Sequence, residues 1–402
     1  MRENSKNSYA FVLVLVAVLS AFGPFVTDFY LPALPALVHY FGTTASAVQL
    51  SLTFGMVGLA AGQLFIGPLS DKYGRKGILL SSLVLFLLAT AGAVLTTDIR
   101  LFLFLRLLQG SFGSGAIVVS KSIATDLYEG RALAKFFSVA SVVQGLAPIF
   151  APVLGGFLLE LMDWRGIFMV LFILALGIIL MLLFFKESLP LGARMTMGIP
   201  RAFKNYGKVL ANREFMAYVA VQSLAMGAMF TYIAASPFIY QEHYAVSPLV
   251  YSICFGVNGF AIMLGSLLSM RFRSVRRCMG TGCLLFWIMS VAVAVALLLN
   301  APVQCIETVF FLQMFCLGLI LPTSMTLALN MERANSGNAS AILGFLTFLA
   351  GGVVSPLTGL GDMIVTTALL IAVCSTLTLV TAWAVCGQPM QLSLVRGTVR
   401  RK

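Results

Sequence analysis

Long apolar runs separated by short polar turns fill this chain from end to end. They lie near 9–35, 46–66, 77–97, 101–123, 134–160, 165–185, 214–238, 248–270, 279–299, 304–330, 337–359 and 363–386. Each supplies the ~20 apolar residues a helix needs to cross a bilayer. Twelve runs therefore predict twelve membrane-spanning helices, numbered here as spans 1 to 12. The first run exceeds the ~7–15-residue apolar core of a cleavable signal peptide and continues through Asp28-Phe29-Tyr30-Leu31-Pro32, so it is read as a span.

Composition sharpens this to an all-α membrane protein. Hydrophobic residues make up 60% of the chain, charged residues 10%, and the mean hydropathy is +0.99. A soluble domain carries about 25% charged residues. The net charge of +12 is a matter of topology, since cytoplasmic loops are enriched in Lys and Arg. With both termini inside, 23 of the 26 basic residues fall on inner segments, and only Arg100, Arg106 and Arg165 do not. The cations are spread over separate loops, which argues against a nucleic-acid partner. The seven cysteines, all in the second half, show neither disulfide nor zinc spacing, and no metal site is expected.

The longest hydrophilic connection divides the chain into residues 1–186, a linker 187–213 with a short amphipathic helix around 198–210 on the membrane surface, and residues 214–402 including a basic tail. Each flanking part holds six spans. Around Gly265-Ser266-Leu267-Leu268-Ser269-Met270-Arg271 the second half carries a worn copy of the charged turn at 67–76, with Ser269 placed where Asp71 would fall.

Ionisable groups inside a span cost about 2.5–3.5 kcal/mol by insertion scales and are functional candidates by default. Asp28 is the only acid well inside span 1, and Arg106 lies inside span 4. At ~1.5 Å of rise per residue, both fall toward the outer end of their helices, with Gln109 about one turn deeper. The expectation is one electrostatic unit of Asp28 and Arg106, serving either to carry a proton or as a fixed ion pair. Lys121 lies near the inner end of span 4, positioned either to snorkel or to face an inner cavity. Small-molecule sites combine apolar and aromatic walls with a few polar groups. Phe25, Tyr30, Gln109, Gln144, Tyr232 and Asn258 are the candidates for such contacts, with ordinary helix packing as the alternative for each.

Several segments resemble the major facilitator superfamily. Gly67-Pro68-Leu69-Ser70-Asp71-Lys72-Tyr73-Gly74-Arg75-Lys76 is similar to its signature turn between spans 2 and 3. Arg106 with Gln109-Gly110 resembles its fourth-span motif, and Gly145, Pro148, Pro152, Gly155 and Gly156 resemble the antiporter motif of its fifth span. Thr27-Asp28-Phe29-Tyr30-Leu31-Pro32 and Asn338-Ala339-Ser340-Ala341-Ile342-Leu343-Gly344 are similar to the Bcr/CflA branch of drug:proton antiporters.

The resemblance implies two six-helix bundles, proton-coupled efflux of small amphipathic compounds across a bacterial inner membrane, and no cofactor beyond the proton. The protein is expected as a monomer in the bilayer, and a small-metabolite transporter is the alternative. The resemblance also implies a gating role for Gly67, Asp71, Gly74, Arg75, Lys76 and Asp126. Asp71 would meet the start of span 11 and Arg75 would pair with Asp126, against the alternative of a solvated turn. The small residues and prolines of span 5 would set helix packing between the halves. Neither a nucleophile motif nor a Walker sequence is present, which disfavours an enzyme or a nucleotide-driven pump.

Overall fold

The structure, a computed structural model, describes residues 7–128, 130–194, 206–332 and 336–386. Within these, span 1 runs Tyr9–Asp28, breaks at Phe29-Tyr30, and resumes through a 3-10 turn Leu31–Ala33 into a short helix Leu34–Phe41. Spans 2 to 6 are Ala45–Tyr73, Arg75–Leu95, Ile99–Leu127, Gly130–Leu159 and Trp164–Phe184. Spans 7 to 12 are Arg213–Phe238, Pro248–Ser269, Val275–Leu298, Val303–Met331, Ser336–Val354 and Met363–Cys386. Span 7 is extended by a π-turn, Ile239–His243, and span 11 by a 3-10 turn, Ser355–Gly359. Of these helices, eleven are long and apolar enough to cross a membrane, and span 5 adds the apolar helix Leu146–Leu159.

Continuous helix is what lipid demands, because backbone groups there have no water to bond. Short connections therefore end in polar caps. The side chains of Thr44, Asp98, Asp163, Asn212, Ser247 and Ser274 each accept a backbone N–H at the start of a span. Large apolar side chains such as Leu88, Phe184 and Trp383 are left exposed, as expected of a surface that faces lipid rather than water.

The expected boundaries need one clear correction. The charged stretch 67–76 is not a loop. Span 2 continues through Asp71 and Lys72 to Tyr73, and Gly74 alone separates it from span 3. Gly74 has φ +105°, a conformation costly for any residue with a Cβ, so one glycine suffices for the turn.

The twelve spans form two six-helix bundles. Span 4 packs on spans 1, 2 and 3, and span 10 packs correspondingly on spans 8 and 9. The match is detailed. A Cβ on Gly58 would strike the Leu107 carbonyl and one on Gly110 the Gly55 carbonyl; likewise Gly265 abuts the Phe315 carbonyl and Gly318 that of Ile262. Both pairs keep a three-residue spacing on each helix.

Gly265 is thus the counterpart of Gly58, a helix-packing glycine, and not of Gly67 in the turn. The repeat of the turn lies a few residues later. Lys76 caps the end of span 6 through the carbonyls of Leu183 (3.1 Å) and Phe185 (2.7 Å), and Arg276 caps the end of span 12 through the carbonyl of Val385.

The apolar core has an uneven plan. A separate cluster that includes Val12, Leu19, Phe86, Ile123 and Ile178 fills the first bundle at the end near the termini. Toward the far end, Phe29, Leu37, Phe102, Trp164 and Phe168 belong to one core with Phe238, Tyr251, Phe255 and Phe310 of the second bundle. The halves are fused at the end remote from the termini.

Candidate transport site and elbow

Arg106 occupies the centre of the first bundle and is fully buried. Its Nη1 donates to Gln109 Oε1 and its Nη2 to the carbonyl of Val26 at 3.1 Å. The guanidinium lies over the ring of Tyr30 at 4.3 Å and faces Phe168 at 5.6 Å. Tyr30 in turn bonds Ser51 at 3.1 Å, and Gln109 donates to Thr90 at 2.8 Å. Tyr30 and Gln109 therefore sit inside the first bundle with no exposed surface in this state, held by its internal polar network.

The expected Asp28–Arg106 pair is absent among the described residues. The depths agree but the faces do not. Helix rise fixes how deep a residue lies and leaves open the side on which it points. The break after Asp28 also brings the Tyr30 ring over the guanidinium.

Asp28 ends the first helix of span 1 at the join between the bundles. Thr27 beside it donates to the carbonyls of Gly23 and Pro24, and the 3-10 turn that follows Asp28 packs on spans 7 and 8. Phe25, half-buried, packs on Phe29 at 5.5 Å. The side chains of Gln144 and Gly145 lie outside the described residues.

The other two candidates come together in the second bundle. Asn258 donates to Tyr232 at 2.9 Å, and the Tyr232 ring packs on Phe255 at 5.6 Å and Phe310 at 4.7 Å. The sequence reading missed their central partner, Glu307 of span 10. Asn258 donates to Glu307 Oε2 at 3.3 Å, and Tyr240 donates to the same oxygen. The only signal was a lone acid four residues inside an otherwise apolar helix.

At the termini end, the turn is a compact charged knot within the first bundle. Arg75, only 6% exposed, donates through Nε to Asp126 Oδ2 at 2.9 Å and through Nη1 to Ser70 at 2.8 Å and to Asp71. Ser188 donates to Asp126 at 3.1 Å. Glu187 accepts from the backbone N–H groups of Arg75 at 3.0 Å and Lys76 at 3.2 Å, and pairs with Arg194 at 3.9 Å.

The first residues of the linker are thus built into the turn, which the sequence reading did not foresee. A Cβ on Gly67 would make only ordinary contact with Val118 at 3.6 Å, whereas one on Gly74 would press on Glu187 and Arg194. The contact expected between Asp71 and Gly337 lies outside the described residues, as does most of the 198–210 helix.

Span 5 remains helical through Pro148 and Pro152. Gly155 lies against the backbone of Phe29, where span 1 breaks, and Gly156 against Ser252 and Pro248 of span 8. Further along the same contact, Gly256 and Gly259 of span 8 receive Ile149.

A bundle of twelve spans in two packed halves, with intramembrane acids at their join and a charged turn at one end, is the build of a multi-pass membrane carrier. The chain belongs to the Major Facilitator Superfamily, whose sequence model matches residues 13–356. It is 38% identical over 361 residues to the uncharacterised transporter YdgK of Bacillus subtilis, spanning 88% of this chain and 89% of that protein. It is 28% identical over 271 residues to a bicyclomycin resistance protein homologue of Haemophilus influenzae, spanning 67% and 68%. The fold matches the partially occluded, inward-open xylose transporter XylE of E. coli with a TM-score of 0.72 at 14% identity, covering 94% of this chain and 97% of that one.

Proposed function

We propose that the protein exports small amphipathic compounds across a bacterial inner membrane in exchange for protons, with both termini in the cytoplasm. The similarity to a bicyclomycin resistance homologue supports the substrate class. The observation that carries the coupling is the position of Asp28. It ends a broken helix at the junction of the two bundles and has no ion-pair partner among the described residues.

An acid without a fixed counter-charge can gain and lose a proton as its surroundings change. A proton entering from the outer side would neutralise Asp28 and release a bound compound. Rocking of halves 1–186 and 214–402, joined by the linker 187–213, about a central cavity would then carry the proton inward. With the termini inside, the fused end of the bundle faces outward, and in this scheme the state described is closed to the exterior. In this scheme the Asp71–Arg75–Asp126 knot holds the inner ends of spans 2, 3 and 4 as one body while the halves move.

The test is a susceptibility panel including bicyclomycin in an efflux-deficient host, together with drug-induced collapse of a proton gradient in inverted vesicles. Wild type should confer resistance and collapse the gradient. Asp28→Asn should lose both at normal expression. Full proton-driven transport by Asp28→Asn would exclude the coupling role, and resistance to none of the panel would exclude drug export.

A further inference from the structure

Glu307 presents a bonding pattern that the packing of the second bundle does not explain. Both of its donors, Tyr240 Oη and Asn258 Nδ2, fall on Oε2. Oε1 is buried and without a hydrogen-bond partner, and so is Oδ1 of Asn258, a residue only 1% exposed. The ion pairs among the described residues give Glu307 no cation. Buried acceptors are normally satisfied, and leaving one bare costs about 1–3 kcal/mol, more when it is charged.

Two bare acceptors on residues in direct contact call for a donor-bearing positive group. The adjoining side chains, buried in this closed form, offer a wall for the rest of such a molecule once the halves part. Beside Asn258 the Tyr232 ring stacks on Phe255 and meets Phe310 at a tilt, and aromatic faces attract cations and flat aromatic bodies alike. Tyr251 packs on the rings of Tyr240 at 5.8 Å and Phe255 at 6.1 Å and belongs to the core shared with the first bundle, so the cluster reaches the junction between the bundles.

We infer that Glu307, with Asn258 and the Tyr232–Phe255–Phe310 wall, forms a binding site for aromatic cations that carry N–H donors. The charged nitrogen group bonds Oε1 and Oδ1, and the aromatic body lies on the wall. This deepens the exporter reading and rests on it, adding cationic amines or amidines to the substrates and a second carboxylate distinct from Asp28.

The test is equilibrium binding of acriflavine, an aromatic cation with N–H donors, to the purified full-length protein by fluorescence anisotropy. Tetraphenylphosphonium, a cation without N–H groups, serves as the comparison. Glu307→Gln should weaken acriflavine about ten- to a hundred-fold, the worth of hydrogen bonds to a charged group. Glu307→Asp should recover part of that loss. Asn258→Leu should weaken acriflavine more than tetraphenylphosphonium.

Should Glu307→Gln fail to fold, Tyr240→Phe gives an independent reading. It removes one donor from the carboxylate and keeps the charge, so acriflavine should bind as well as to wild type or better. Equal acriflavine affinity in wild type and Glu307→Gln overturns the inference, as does a loss of affinity in Tyr240→Phe. If wild type does not bind acriflavine yet retains Asp28-dependent resistance to bicyclomycin, this site is refuted and the exporter reading stands.

Discussion

Arg106 shows how a buried charge can be held without an acid. Its guanidinium is shared among a side-chain amide, a main-chain carbonyl and two aromatic faces, each contributing part of the solvation lost on burial. This use suits arginine because its planar group donates in several directions and stacks at the same time. Lysine would keep the charge but lose the second branch and the stacking on Tyr30. We therefore expect Arg106→Lys to destabilise the protein by about 2–3 kcal/mol, given that hydrogen bonds to charged groups are worth about 1.5–3 kcal/mol each. Chemical unfolding in detergent monitors the loss, and an unchanged midpoint would show that the network carries no net stability. The sequence made Arg106 conspicuous, since a charge within an apolar run stands out. It could not show the direction of the side chain, which depends on the break at Phe29-Tyr30 and the ring that follows it.

Helices were the most legible level, because a span must be long, apolar and continuous to exist in lipid. The fold and the register of nearly every span follow from that pattern. The charge of 67–76 reads as a loop, although a helix emerging from the membrane can carry charged residues and stay helical, as span 2 does through Tyr73. Glu187 was missed for a different reason: its partners are the main-chain N–H groups that open span 3, which no side-chain pattern records. Those groups form the positive end of a helix dipole, where a carboxylate stabilises by up to about 2 kcal/mol in partly buried sites. Glu187→Gln should lower thermal stability by about 1 kcal/mol on that scale and release the start of the linker. Limited tryptic cleavage after Arg194 should accelerate in the variant, as freed segments are cut more readily. A cleavage rate equal to wild type would mean the linker is anchored elsewhere.

At the scale of the whole molecule, the shared core marks one end of the bundle as closed, and a few polar bonds cross the same junction. Gln49 of span 2 donates to the carbonyl of Ala234 at 2.9 Å, Gln241 donates to that of Pro32 at 3.1 Å, and Ser46 donates to that of Pro356 at 3.0 Å. Opening this end must break these bonds, so they weight the balance between the closed form and any form open there. A net hydrogen bond contributes about 1 kcal/mol. Removing two that share no partner should be nearly additive, about 2 kcal/mol or roughly thirty-fold in the ratio of states. We expect Gln49→Ala with Gln241→Ala to shift the population by about that factor toward the far-end-open form. Spin labels at His39 and Glu242, both exposed near that end on opposite halves, would report it in a cysteine-free background as a longer-distance component. The apolar core there remains in both states' reckoning, so the variant should still fold and still close part of the time. A distance distribution identical to that of the unmutated background would mean the closed end is held by the packing of Phe29, Leu37 and Phe238 alone, with the glutamines merely satisfying backbone carbonyls.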